Sequence, residues 1–79
     1  MFKVICPDAS GEMDKYYRFR WEVLNKPLQL PLGSERDAYD DHSIHRMIRD
    51  RQGEPLAVGR LFLSDNKEAL IRHVAVCPE

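Results

Sequence analysis

The sequence predicts a single mixed domain of the α/β (α+β) class, in which one long helix packs against an antiparallel sheet. Two patterns predict this class. A segment with helical spacing of apolar residues follows a short apolar run, and three further apolar runs are separated by turn-forming residues. With 79 residues the chain has room for one domain, residues 1–79. A domain this small buries only about 60 to 65% of the surface that its unfolded chain exposes, so each covering element matters.

The first two elements are a strand over residues 2–7 and a helix that ends near Pro27. The strand contains apolar, β-branched residues and closes on a proline. Asp8 or Ser10 is expected to cap the helix, because such side chains accept hydrogen bonds from free amides of the first turn. Apolar side chains recur along the helix, at Met13, Tyr16, Tyr17, Phe19, Trp21, Val23 and Leu24. This wide face is expected to pack against the sheet.

The second half of the chain predicts a long connection followed by three strands. Residues 28–43 are expected to be irregular, with one helical turn after Ser34, because prolines, a glycine and aspartates interrupt any regular pattern. Long connections in compact domains tend to be functional, so this one is the candidate for contacting a substrate. Residues 44–63 predict a β-hairpin with Gly53 in its turn, and residues 69–77 predict a third strand of the same meander.

The last two strands are apolar on both of their faces. Such a strand needs cover on both sides, whereas the single predicted helix can cover only one face of the sheet. A C-terminal continuation, a second copy of the chain or another protein could cover the other face. The last strand is also expected to be an open edge. A homodimer is therefore expected, because two copies could shield each other's apolar face and edge.

Charge and hydropathy exclude several classes of partner. The 12 basic and 13 acidic residues are interspersed, and the net charge is -1, so the sequence has no basic stripe for a nucleic acid. No apolar run approaches the length of a membrane span, and the start of the chain is unlike a signal peptide. We therefore expect a cytoplasmic protein that binds neither nucleic acid nor membrane.

The cysteines and histidines do not predict a metal site. Cys6 and Cys77 are not part of a CxxC pair and are expected to be small buried hydrophobes, although counting alone leaves a bridge between them open. The segment "DDHSIH" brings Asp40, Asp41, His42 and His45 together in sequence. Metal sites need three or four converging ligands, and the two histidines are expected to point in different directions.

The runs "GEPLAVGRLFL" and "ALIRHVAVCPE" resemble the central strands of the GNAT superfamily of N-acetyltransferases. The segment "YYRFRWEVLNKPLQLPLGSERDAYDDHSIHRM" is similar to the first helix and substrate loop of a bacterial branch of that family. The resemblance covers essentially the whole chain, in order. It implies a GNAT-like sheet that stops before the glycine-rich turn for the pyrophosphate of acetyl-CoA, so the chain would be the N-terminal half of the fold.

The resemblance also implies a position for the cofactor. In the family, the strand that matches residues 69–76 carries a bulge, and its backbone holds the acetyl and pantetheine groups of acetyl-CoA. Val74, Ala75 and Val76 are the matching positions here. A backbone amide left unpaired by a bulge can donate a hydrogen bond to the thioester carbonyl and stabilise the charge that develops on it.

Transfer of an acetyl group to an amine needs a base, because only the neutral amine is a nucleophile. His73 is the first candidate and Glu35 the second, each weighed against an ordinary packing or surface role. Tyr17, Arg20 and Trp21, with Tyr16, could border the pocket of the amine. The chain alone is expected to have little or no activity, since it ends before the glycine-rich turn. The alternative is a small non-catalytic module that dimerises or binds a partner through its uncovered sheet face.

Overall fold

The computed structural model describes residues 3–8 and 11–77 and has a mixed α+β fold, as predicted. The described part of the chain contains one α-helix and four strands: β1 (Lys3–Ile5), α1 (Glu12–Arg20), β2 (Ile44–Arg49), β3 (Pro55–Leu63) and β4 (Ala69–Val76). The strands form one sheet in the order β1-β2-β3-β4. Every neighbouring pair is antiparallel. Predicted features at Phe2, Ser10 and residues 78–79 lie outside the described residues.

The helix begins at Gly11, whose φ of 108° is a conformation that glycine adopts at little cost. The N-cap residue is thus Gly11 and not Asp8, one of the two predicted caps, whose backbone carbonyl accepts a hydrogen bond from the Met13 amide at 2.9 Å. After α1 the chain continues through one wider π-helical turn, Trp21–Asn25, and a 3₁₀ turn, Lys26–Leu28. Pro27 therefore lies inside the last helical turn and does not end it, because the first residues of a helical turn need no amide donor.

The predicted face of the helix forms the core. Tyr16, Tyr17 and Phe19 are buried against a patch of the sheet that consists of Met47, Val58 and Ala75. Ile5, Met13, Val23 and Leu24 are partly buried and pack around this cluster. Trp21 is half-buried, and its indole N–H donates to the Leu30 carbonyl at 3.0 Å. The core thus occupies the space between α1 and one face of the sheet.

The connection between α1 and β2 is irregular, as expected, and contains two short turns. One helical turn was predicted after Ser34, and it is present as the 3₁₀ helix Asp40–His42, whereas residues 32–35 form a non-helical turn. Gly33 has a φ of 105°, which breaks a helical path at this point. The predicted hairpin is confirmed between β2 and β3, with Gly53 at a φ of 83° in its turn.

The opposite face of the sheet exposes its apolar side chains. We call this surface the open face, and it carries Val4, Ile44, Leu61, Ile71, Val74 and Val76. Ile71 and Val76 keep 63% and 64% of their surface exposed. The prediction that the helix covers only one face is therefore confirmed for the described residues. No described helix is long and apolar enough to cross a membrane.

The two cysteines were wrongly predicted to be buried. Cys6 and Cys77 are both exposed, and they are not joined by a disulfide. Each lies just beyond the end of an outer strand, β1 or β4, where the chain leaves the sheet. Position at a strand end explains the exposure better than the average burial of cysteine does.

Candidate functional site

A bulge in β4 marks the centre of the candidate site. Val58 pairs with Ala75 and Arg60 pairs with Arg72, so Gly59 faces two residues of β4, His73 and Val74. His73 has a φ of 55°, in the left-handed region that costs a residue with a side chain about 1–2 kcal/mol. The family resemblance implied a bulge in this strand, and the register shift confirms one. Bulges break the regular ladder and re-aim the side chains beside them.

The Gly59 carbonyl, opposite the bulge, receives a hydrogen bond from α1. The hydroxyl of Tyr16 donates to it at 3.1 Å and also contacts Nδ1 of His45 at 2.6 Å. Nε2 of His45 lies 2.8 Å from the Asp40 carbonyl, which can only accept a hydrogen bond. In neutral His45, Nε2–H donates to Asp40 and the Tyr16 proton goes to Nδ1. The Tyr16 hydroxyl has one proton, so it can donate to Nδ1 of His45 or to the Gly59 carbonyl, one at a time.

A buried charge cluster lies beside this hydrogen bond. Oδ1 of Asp40 accepts from Nη1 and Nη2 of Arg20 at 2.9 and 2.7 Å, and from Nη1 of Arg60 at 3.1 Å. Oδ2 accepts from the backbone amide of Asp37 at 2.8 Å. Arg20 is fully buried, and Asp40 and Arg60 keep only 6% and 5% of their surface exposed. The cluster therefore joins α1, the connection and β3 and is almost completely shielded from solvent.

Asp37 continues the cluster to the surface. Its Oδ1 accepts from Arg60 at 2.6 Å, and its Oδ2 lies 3.4 Å from Nε2 of His73. Burial raises the pKa of Asp37, but the hydrogen bonds from Arg60 and the Tyr39 amide outweigh it, so the net pKa lies below its usual range. The carboxylate is thus ionised at neutral pH and serves as the acceptor for His73.

His73 is a neutral imidazole at pH 7. Burial lowers its pKa below the usual 6.5, and the positive charges of Arg20 and Arg60 lower it further, against the opposing effect of Asp37. Its side chain is 26% exposed. With Nε2–H directed to Asp37, the lone pair of the neutral ring resides on Nδ1. That nitrogen can accept a proton from a bound molecule.

A cleft of about 440 Å³ opens beside the bulge, on the covered side of the sheet. Its polar lining consists of Asp37, Arg60, Ser64, Arg72 and His73, and its apolar lining consists of Tyr39, Phe62 and Leu70. The rings of Tyr39 and Phe62 meet edge to face at a centroid distance of 4.9 Å. The cleft thus combines a base, a carboxylate and arginines with an aromatic wall.

The residues predicted from sequence fall into different environments. Val74 and Val76 are exposed on the open face, and Ala75 is 2% exposed under the helix. Tyr17 and Glu35 line a separate depression that shares no lining residue with the cleft. Glu35, only 3% exposed, accepts from the Gly33 amide at 2.8 Å. Its carboxylate therefore shapes a turn and lies away from His73.

The three predicted substrate residues on the helix all have partners within the chain. The guanidinium of Arg20 is fully buried against Asp40, so a ligand does not reach it in this structure. The ring of Trp21 lies between the cationic groups of Arg18 and Lys26, at 5.6 and 5.7 Å from its centroid. Tyr17 stacks against Arg36, whose guanidinium carbon is 4.0 Å from the ring centroid. All three side chains project from the helical segment and contact the connection.

Sequence reasoning did not identify Asp37, Asp40 and Arg60 as site residues. A signal was present for Arg60, because it alternates with Val58 and Phe62 and therefore lies on the covered side of β3. A charge on that side needs a buried partner. The aspartates of the connection were the available carboxylates, but the sequence does not say which of them reaches the sheet.

The histidines of the "DDHSIH" segment diverge, as predicted: His42 is exposed, whereas His45 points into the core and bonds Tyr16. Among residues 3–8 and 11–77, no three His, Cys, Asp or Glu side chains are grouped so that they could hold a metal ion. The site therefore offers hydrogen-bonding groups, two arginines and one neutral imidazole. A comparison of the sequence with protein-family models finds no match.

Proposed function

We propose that the protein is an N-acetyltransferase that moves an acetyl group from acetyl-CoA to an amine. The bulge at His73 carries this proposal, because it interrupts the ladder between β3 and β4 beside an open cleft. An amide freed by a bulge can donate to a thioester carbonyl. Val74, Ala75 and Val76 follow the bulge and are small or β-branched, so an extended pantetheine arm could lie along them. The same strand binds acetyl-CoA in the GNAT fold that the sequence resembles.

The base in this proposal is His73. The amine nitrogen attacks the thioester carbonyl, a C–N bond forms, and Nδ1 of His73 takes the proton that the amine loses. The C–S bond then breaks, and the thiolate leaves with the electron pair and takes a proton from water. A histidine with a lowered pKa suits the first step, since its ring is neutral at pH 7. Asp37 holds the ring through Nε2 and fixes which nitrogen is free.

Deleting His73 tests the role of the bulge. Without this residue, Gly59 would pair with Val74 alone, and the pairs on either side would join in one regular register. Every other side chain of β4 would keep its face. The matched control is His73→Gly, which retains the extra residue, tolerates the positive φ and removes the imidazole.

We expect acetyl-CoA to bind the wild-type chain and the His73→Gly variant in a calorimetric titration, and not the deletion variant. The low acetyl transfer expected of the wild-type chain should fall further in both variants, because each lacks the base. Circular dichroism on the same samples shows whether the deletion variant is folded. Equal binding by a folded deletion variant, or no binding by the wild-type chain, would overturn the proposal.

The open face supports a second candidate, a module that dimerises or binds another protein. Apolar side chains run across β2, β3 and β4 on this face, where exposed Ile44 and Ile71 flank the half-buried Leu61. A continuous apolar surface of this kind is typical of interaction sites. A second copy of the chain is the simplest occupant, since two identical faces are self-complementary about a two-fold axis. Molar mass from light scattering after gel filtration tests this candidate, and a monomer at micromolar concentration would count against it.

A further inference from the structure

Arg72 carries a positive charge that the described residues do not neutralise. It lies directly opposite Arg60 in the β3–β4 pairing, and both side chains line the cleft. Arg60 is balanced by Asp37 and Asp40, at 2.6 and 3.1 Å. Arg72 is exposed and donates to the carbonyl of its neighbour Ile71 at 3.0 Å, and it forms no ion pair within residues 3–8 and 11–77.

Two arginines opposite each other on one sheet face are unfavourable unless an anion lies between or beside them. The internal aspartates already serve Arg60, so the charge of Arg72 remains for a ligand. A guanidinium presents paired N–H donors that match the two oxygens of a carboxylate. One guanidinium without an ion pair therefore predicts one carboxylate on the ligand.

The remainder of the cleft indicates what that carboxylate is attached to. Phe62 and Leu70 are cross-strand partners on the covered side, and Tyr39 packs its ring edge to face against Phe62. Tyr39 keeps 55% of its surface exposed although it is aromatic. Such a wall favours a flat or branched apolar group. His73 and Asp37 complete the lining and supply an acceptor for an amine.

We infer that the cleft binds a free amino acid with an apolar side chain and that this amino acid is the acetyl acceptor, an inference that rests on the proposed function. Arg72 binds the carboxylate, the wall of Tyr39, Phe62 and Leu70 contacts the side chain, and the amine lies beside Nδ1 of His73, whose Nε2 is held by Asp37. The reaction would form an N-acetyl amino acid. Arg72 would select this class over simple amines, which lack the carboxylate.

The test measures binding without acetyl-CoA, so its outcome does not depend on the transfer reaction. Phenylalanine, phenethylamine and 3-phenylpropionate share one apolar body and differ only in their charged groups. We expect phenylalanine to bind the wild-type chain about tenfold more tightly than either analogue, since a charge-assisted hydrogen bond is of that order. Ligand-observed NMR titrations give the three dissociation constants.

Arg72→Gln should remove the advantage of phenylalanine over phenethylamine and leave phenethylamine binding unchanged. Arg46→Gln is the matched control. Arg46 is also exposed and also donates to the preceding carbonyl, of His45, but it lies on the open face. This variant should retain the wild-type preference.

Three results would overturn the inference. Equal binding of phenylalanine and phenethylamine would show that the cleft does not recognise the carboxylate. Equal binding of phenylalanine and 3-phenylpropionate would show that it does not recognise the amine. A preference for phenylalanine over phenethylamine that persists in Arg72→Gln would show that Arg72 does not bind the carboxylate. Failure of acetyl-CoA to bind the wild-type chain is a separate result, which would overturn the transferase proposal and leave these ratios measurable.

Discussion

The guanidinium of Arg20 holds the carboxylate of Asp40 at 2.7 Å, and their side chains are 0% and 5% exposed. The two residues are far apart in sequence, on α1 and in the connection. Arg60 of β3 shares the same carboxylate oxygen, at 3.1 Å. Because the charges are out of water, removal of one partner leaves an uncompensated charge in the interior, which costs far more than loss of an exposed ion pair.

We therefore expect Arg20→Met to lower the free energy of unfolding by about 3 kcal/mol or more. Arg18→Met is the control on the same helix, because Arg18 pairs with Glu22 at 3.1 Å on the surface. It should cost less than about 1 kcal/mol. Urea denaturation of the three proteins measures the difference, and loss of the cooperative transition in Arg20→Met counts as the larger effect. Similar losses in both variants would show that the buried pair is not a major source of stability.

Tyr16→Phe should destabilise the fold by about 1–3 kcal/mol at neutral pH, because it leaves the Gly59 carbonyl and Nδ1 of His45 without their shared partner. Tyr17→Phe is the control, since the Tyr17 hydroxyl makes no hydrogen bond to another described residue, and it should have a smaller effect. Thermal and urea unfolding measure both variants.

Tyr16 also determines how the stability of the fold changes at alkaline pH. Burial raises the pKa of Tyr16 from 10.0 to about 12. The folded state therefore keeps this proton after the unfolded state has lost it, so stability falls as the pH rises from 10 to about 12. Tyr16→Phe should show a shallower fall in this range, and an unchanged slope would contradict the assignment.

His73 should titrate below 6.5 when its ring protons are followed by NMR, because burial and the nearby arginines disfavour the imidazolium. Asp37→Asn should lower the midpoint further, since the Asp37 carboxylate favours the charged ring. Asp65→Asn, in the exposed turn between β3 and β4, should leave the midpoint unchanged. A midpoint at or above 6.5 would contradict the assignment of a neutral base.

The same shift affects stability in a known direction. The folded pKa of His73 lies below the unfolded value of 6.5, so the unfolded state binds the proton first as the pH falls. Above pH 6.5 His73 therefore does not lower the free energy of unfolding. Stability is lost as the pH falls from 6.5 through the lowered folded pKa. His73→Gly should remove this part of the acid dependence.

Ile71→Lys should weaken association of the chain with itself if the open face is the dimer contact. Ile71 lies on that face in the outer strand β4, opposite Leu61, and is 63% exposed. Leu28→Lys is the matched control, because Leu28 is 70% exposed but lies in the 3₁₀ turn after the helix. Light scattering across a dilution series should show a lower mass for Ile71→Lys alone. An equal mass for all three proteins would place the contact elsewhere.

Local patterns predicted the elements of this fold well. The apolar runs predicted β3 and β4, the glycine at position 53 predicted the hairpin turn, and the apolar face of α1 predicted the core contacts. Each of these depends on residues that are close in sequence. The open face could also be predicted from the pattern, because the last two strands are apolar on both faces and the single predicted helix can cover only one of them.

The charge cluster could not be predicted in the same way. Arg20 occupies a helix position where sequence alone favours a surface or pocket-lining role, and its carboxylate partner lies in an irregular connection. Irregular backbone has no period from which the direction of Asp37 or Asp40 could be calculated. The separation of Glu35 from His73 has the same origin, because the turn over residues 32–35 sets where Glu35 points.

The contact between the Asp37 amide and the buried Asp40 carboxylate has a kinetic consequence. Asp37 is exposed and lies in no helix or strand, so its amide would ordinarily exchange with solvent deuterium within moments. Here the acceptor is held by arginines from α1 and β3. The amide can exchange only when the connection separates from both elements. We therefore expect its protection factor to match those of the central strands, which would make the connection and the sheet one cooperative opening unit.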